Sequence, residues 1–187
     1  MCIRDRVVAA AEAGPLAPPA ADSAAVAAAS AAEAPVRVGN QAMRTREFLS
    51  RLDHKRVVDA IKAAEANTSG EIRVYIERGY LPGDALPCAQ EKFLEFGMDR
   101  TAKRNAILIL VAPRTQKFAV VGDEEVHRRC GLLFWQQLVE AMRAHFQREE
   151  FTDALTEAID TAGRLLARRF PRNADDRNEL PDHVIEG

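Results

Sequence analysis

Seven polar residues of this chain stand at the ends of short apolar runs or in the segment that feeds one, and their types suit the holding of an ion. Glu71 precedes the run 72–76, Arg104 and Asn105 precede the run 106–112, and Asp123 and Glu124 follow the run 117–121, while Asp99 and Thr101 lie in the segment feeding the second run. Carboxylate and amide oxygens are the ligands of calcium- or magnesium-like cations. A guanidinium such as that of Arg104 offers a planar donor fork to a phosphate or carboxylate. The competing assignment is plain: glutamate or asparagine before a strand and Gly-Asp after one are ordinary turn and edge residues, and surface charges pair with one another without holding a ligand.

Covalent chemistry finds no support. Neither Cys88 nor Cys130 opens a C-x5-R loop, because Leu94 and Gln136 stand where the arginine belongs. A D-x-D pair, a G-x-S-x-G elbow, H-E-x-x-H and the phosphate loop G-x-x-x-x-G-K-[ST] are all missing. His127 follows Asp123 and Glu124 closely, but no second histidine lies at ligand spacing, so it reads as a surface helix residue. Phe134 and Trp135 read as core anchors, since Leu138 and Val139 continue their helical stripe.

The elements that must position the polar set follow from periodicity. Ser50 with Asp53 resembles a capping box, and Leu52, Val57, Ile61 and Ala64 recur at helical spacing until Thr68-Ser69-Gly70. Ile72, Val74 and Ile76 alternate with Arg73, Tyr75 and Glu77, the pattern of a strand with one buried face. Pro87 suits the first turn of a second helix whose apolar side is Phe93, Leu94 and Met98. The continuous run 106–112 predicts a central strand buried on both faces, and the short link 113–116 makes 117–121 its antiparallel neighbour. Helices are expected near 125–129, over 132–147 and over 153–170, the last ending in Arg164, Arg168 and Arg169, where a helix C-terminus favours cations. A right-handed parallel crossover from the first strand to the second then brings Glu71, Arg104-Asn105 and Asp123-Glu124 to one rim of the sheet. The fold class is α/β: a three-layer α/β/α sandwich with a small mixed sheet.

Composition bounds the rest. The 187 residues are 47% hydrophobic and 29% charged with a net charge of −2, which fits one globular domain and lacks the basic excess of a general nucleic-acid binder. No stretch approaches the roughly 18 apolar residues of a membrane span. Three cysteines without a C-x-x-C pair argue for a reducing compartment, the cytoplasm. Sixteen of the first 42 residues are alanine and none is aromatic, so residues 1–42 read as a disordered leader, with 24–34 transiently helical at most. The opening hexapeptide looks foreign to the domain, and Met43 is a natural start. The domain proper is 43–170. Residues 171–187, with five acids against two arginines, read as a solvated tail.

The segments Ser69-Gly70-Glu71-Ile72-Arg73-Val74, Phe96-Gly97-Met98 with Thr101, Arg104-Asn105-Ala106-Ile107-Leu108-Ile109 and Lys117-Phe118-Ala119-Val120-Val121-Gly122-Asp123-Glu124 resemble the TPM domain family over residues 47–170. Phe151 and Ala154-Leu155 continue the likeness. The resemblance implies an α/β/α sandwich and kinship to a thylakoid acid phosphatase, a photosystem II repair protein and a receptor accessory subunit. It also implies calcium ligation by acidic loop residues, which by position are Glu71, Asp99, Asn105, Asp123 and Glu124 here. One departure matters: many members carry Asp-Arg-Asn-Gly before the central strand, where this chain has Lys103-Arg104-Asn105-Ala106. The chain is similar to a short branch of the family without a membrane segment.

Two functions remain open at this stage. One is a non-catalytic binding or accessory module that engages another protein through the ion-and-anion rim, with calcium or magnesium as the cofactor. The other is a weak metal-dependent phosphomonoesterase in which Asp99, Asp123 and Glu124 hold the ion and Arg104 faces the phosphate.

Overall fold

The computed structural model describes residues 43–173, 179–181 and 183–187, together with the backbone of 27–30. Five helices and five strands follow one another as β1 (Ala27–Ser30), α1 (Thr45–Arg51), α2 (His54–Glu65), β2 (Ile72–Ile76), α3 (Ala85–Glu95), β3 (Ile107–Ala112), β4 (Lys117–Gly122), α4 (Glu124–Gln147), α5 (Phe151–Arg169) and β5 (Val184–Glu186). The strands form one mixed sheet in the order β1-β4-β3-β2-β5. β2 and β3 are parallel, and β4 returns antiparallel to β3, as the crossover and the tight link require.

The two faces of the sheet carry two cores. Ile72, Val74, Ile107, Ile109, Phe118 and Val120 meet the apolar stripes of α1, α2, α4 and α5. Tyr75, Leu108, Leu110, Ala119 and Val121 meet α3 through Ala85, Ala89 and Phe93. Helices therefore cover both faces, and the α/β sandwich is the observed architecture.

Several elements differ from expectation for identifiable reasons. The first helical segment is two helices, because the chain turns at Leu52 and Asp53; the Asp53 carboxylate accepts the N–H of Arg56 at 3.0 Å and so caps α2. Ser50 donates to the Glu47 carbonyl inside α1 and is no part of that cap. β2 is buried on both faces, because α3 and Phe96 cover the side that bears Arg73 and Tyr75. Leu94, by contrast, is half exposed. Gly131, at φ 72° and ψ 169°, divides α4 into the short and long helices that the sequence predicts.

Both chain ends contribute strands. Ala27–Ser30 pairs antiparallel with β4, where four residues of the alanine-rich leader supply backbone partners to an open sheet edge; the rest of 1–42 lies outside the described residues. The tail is not wholly solvated. Val184–Glu186 joins β2 in parallel, and the Arg78 N–H donates to the Gly187 carbonyl at 2.7 Å. Among the described residues no helix is long and apolar enough to cross a membrane.

Candidate functional site

The sheet register decides which polar residues meet. Ile72 pairs with Ile107, and Ile107 with Gly122, so the starts of β2 and β3 and the end of β4 share one rim. The ladder continues past the strands, since Ile107 donates to the Glu71 carbonyl at 2.8 Å and Asp123 donates to the Ala106 carbonyl at 2.9 Å. With neighbouring strands about 4.8 Å apart, Glu71 and Asp123 lie about 10 Å from one another.

Asp123 is the centre of this rim. It is the N-cap of α4, and its Oδ1 accepts the Glu124 N–H at 2.8 Å and Arg104 Nε at 3.0 Å. The side chain is fully buried, whereas Arg104 is about one-third exposed. Arg104 itself sits at φ 51°, a left-handed conformation that costs a non-glycine residue about 1 kcal/mol or more, and its N–H donates to the Thr101 carbonyl. The tight turn 101–104 thereby swings the guanidinium back onto the cap. Burial pushes the Asp123 carboxyl above the ordinary aspartate range, and the charge of Asp99 adds to that push; the Glu124 N–H and Arg104 offset only part of it.

Asn105 is equally buried. Its backbone N–H donates to Thr101 Oγ1 at 3.3 Å and its Nδ2 to Ser69 Oγ at 3.2 Å. Among the described residues, three buried oxygens near Arg104 have no hydrogen-bond partner: Asp99 Oδ1, Asn105 Oδ1 and Asp123 Oδ2. Unsatisfied buried acceptors are costly, and a hard cation is one group that satisfies several at once. Among the described residues, no group of three or more histidine, cysteine, aspartate or glutamate side chains is arranged to hold a metal ion. Any cation here would draw on two carboxylates and one amide.

The remaining expected ligands part company with these three. Glu71 is buried on the same rim, but its Oε1 accepts the Glu179 N–H at 2.9 Å and its charge acts on Arg73. It ties the tail to the sheet. Glu124 is exposed at the first turn of α4 and joins the cluster only through its backbone.

Beside Arg104 a cavity of about 450 Å³ is lined by Lys103, Arg104, Glu125, Arg129, Arg169 and Phe170. Arg129 donates to the Arg169 carbonyl at 2.7 Å and lies 4.5 Å from the centre of the Phe170 ring. This basic hollow was not legible as a unit, because Lys103, Arg129 and Arg169 are far apart in the chain. A larger hollow of about 880 Å³ beside α2 and α5 shares no residue with the rim. The thiols of Cys88 and Cys130 are half-buried, and burial pushes Cys130 up to about 11, away from the thiolate a nucleophile needs.

A mixed sheet with helices on both faces and a polar rim at the strand ends defines an α/β sandwich of a particular connectivity. The TPM domain profile matches residues 43–165, and the chain belongs to the TPM domain family. It is also similar to the BA42 protein of the psychrophilic bacterium Bizionia argentinensis, solved by NMR, at 36% identity and a TM-score of 0.66 over 72% of this chain and 92% of that one. No curated protein matches the chain.

Proposed function

We propose that this TPM-domain protein is a non-catalytic accessory module that binds a divalent cation at the rim and, through it, an acidic segment of another protein. The observation that carries the proposal is the trio of unpartnered buried oxygens on Asp99, Asn105 and Asp123. Calcium suits them better than magnesium, because it accepts irregular oxygen shells and does not demand an octahedron. Lys103 and Arg104 border the same site and would meet the carboxylates of the partner. The half-buried Cys88 and Cys130, both unbridged, fit the cytoplasm as the compartment.

Calorimetric titration tests the cation. Heat of calcium binding in the wild type, absent in Asp123→Asn, is the expected result; a flat trace with calcium and with magnesium ends the proposal.

The basic cavity supports a second reading, a metal-dependent phosphomonoesterase. A bound cation would neutralise charge on a phosphoryl group, while Arg104 and Lys103 orient its oxygens. No residue of the described rim is placed as a nucleophile, so water would have to attack. Hydrolysis of an aryl phosphate by the purified protein, abolished by chelator and by Asp123→Asn, would decide for this reading.

A further inference from the structure

The break in α4 presents two exposed leucines that the rim chemistry does not use. Gly131 takes a backbone conformation reserved for glycine, and a Cβ built there meets nothing within 4 Å, so the kink stands clear of the body of the protein. Leu132 and Leu133 follow it at 58% and 65% exposure, the most exposed large aliphatic side chains among the described residues. They do not drift, because the next residues are anchored: Phe134 packs edge-on against Trp135, and Trp135 is fully buried over Gly122. Two leucines are thus held outward at the tip of a rigid corner.

Two exposed arginines, Arg128 and Arg129, stand just before that corner in the chain, the second of them beside a basic hollow. Arg169 is joined to Arg129 through its carbonyl, and Lys103 and Arg104 line the hollow beside both. The acids nearby are Asp123, paired with Arg104, and Glu124 and Glu125, the latter paired with Arg128 and Arg129, so five cations stand against three acids. The net charge of the whole chain is −2, which makes this a local concentration of positive charge.

We propose that the Leu132-Leu133 corner and its arginines form a docking surface for an anionic lipid bilayer, with the leucines entering the interface and the arginines meeting lipid phosphates. Exposed leucines beside surface cations are the combination that an interface with apolar depth and negative charge rewards. A second copy of the chain suits the patch poorly. A two-fold contact would set the arginines of one copy against those of the other, and two leucines per copy offer far less area than a stable dimer buries. The test of the proposal rests on Leu132, Leu133 and Arg128, none of which touches the oxygen trio, so its outcome is separate from that of the cation reading.

The test is co-sedimentation of the full chain with vesicles of phosphatidylcholine alone and with vesicles containing one-third phosphatidylglycerol. Binding to the anionic vesicles only, weakened by salt, is expected. Leu132→Ser with Leu133→Ser should lower the partition coefficient at least about tenfold, and Leu94→Ser, an equally apolar exposure on α3, should leave it unchanged. Arg128→Glu gives a second variant that spares the leucines, and it should weaken binding and flatten the salt dependence. Equal binding to both vesicle types, no binding, or retention of binding by the leucine variant each overturns the proposal. So does a dimer in sedimentation equilibrium that the leucine variant dissolves, because that result assigns the patch to a second copy.

Discussion

Arg104 Nε and the backbone N–H of Glu124 both donate to one oxygen of Asp123, Oδ1, while Oδ2 of the same buried carboxylate has no partner among the described residues. The cap and the charge can therefore be separated. Asp123→Ala removes both and leaves Arg104 without its acceptor, at an expected cost of about 1–3 kcal/mol in urea unfolding. Asp123→Asn keeps an acceptor for the helix and discards the buried charge, so its stability near neutral pH should stay within about 1 kcal/mol of the wild type. Because the folded-state carboxyl titrates above its unfolded value, the native state takes up this proton first as pH falls, and wild-type stability gains from it relative to neutral pH. That gain should vanish in Asp123→Asn. Identical pH profiles for the two proteins would show that burial does not disfavour the charged form of this carboxyl.

A cation at the rim reverses the sign of this effect. Positive charge beside Asp123 favours the ionised carboxylate, so calcium should draw the titration of the Asp123 carboxyl back toward or below the ordinary aspartate range. NMR titration of the side-chain carboxyl, with and without calcium, measures this directly. A midpoint that calcium leaves in place argues that no ion is held there.

What the sequence conveyed about this site, and what it did not, divides along one line. Glu71, Asn105 and Asp123 were legible as neighbours because a parallel crossover and a four-residue link leave little choice of strand direction, and the register from Ile72 through Ile107 to Gly122 bears this out. Side-chain allegiance was not legible. Glu71 turned out to bind the Glu179 N–H, and that contact depends on a tail whose composition carries no periodic signal. The short edge strands Ala27–Ser30 and Val184–Glu186 escaped for a related reason: they are held by the open backbone edges of β4 and β2, not by a pattern of their own. The split between α1 and α2 hung on which of two candidate residues caps, and Asp53 took the role through Arg56.

Two glycines on one stretch of chain should respond differently to alanine. A Cβ on Gly122 would overlap the Trp135 ring, so Gly122→Ala must displace the sole tryptophan, at a cost of about 1–3 kcal/mol and with a shifted emission maximum. Gly131 has open space around it, and Gly131→Ala pays only for its backbone, also about 1–3 kcal/mol. The two costs are alike and the spectra are not: tryptophan emission should move in the first variant and hold in the second. A shifted spectrum in Gly131→Ala would mean that the corner and the Trp135 anchor are not separate units.

His145 offers the last test, one of pH. Its Nδ1 lies 2.7 Å from Glu150 and its Nε2 2.7 Å from Glu157, so both ring nitrogens face acceptors and the doubly protonated ring satisfies both. Burial pulls its pKa down and Arg148 nearby opposes protonation, but the two carboxylates outweigh them and hold it above the ordinary histidine value. A histidine raised in this way stabilises the fold fully below its unfolded pKa, about 6.5, and that contribution is lost as pH rises through the folded value. Glu157 is half exposed, which limits the effect to about 1 kcal/mol. His145→Gln should therefore match the wild type in alkaline solution and fall below it by that amount in mildly acid solution, measured by urea unfolding. A constant difference across the range would place the loss in packing between α4 and α5 and not in the charge of the ring.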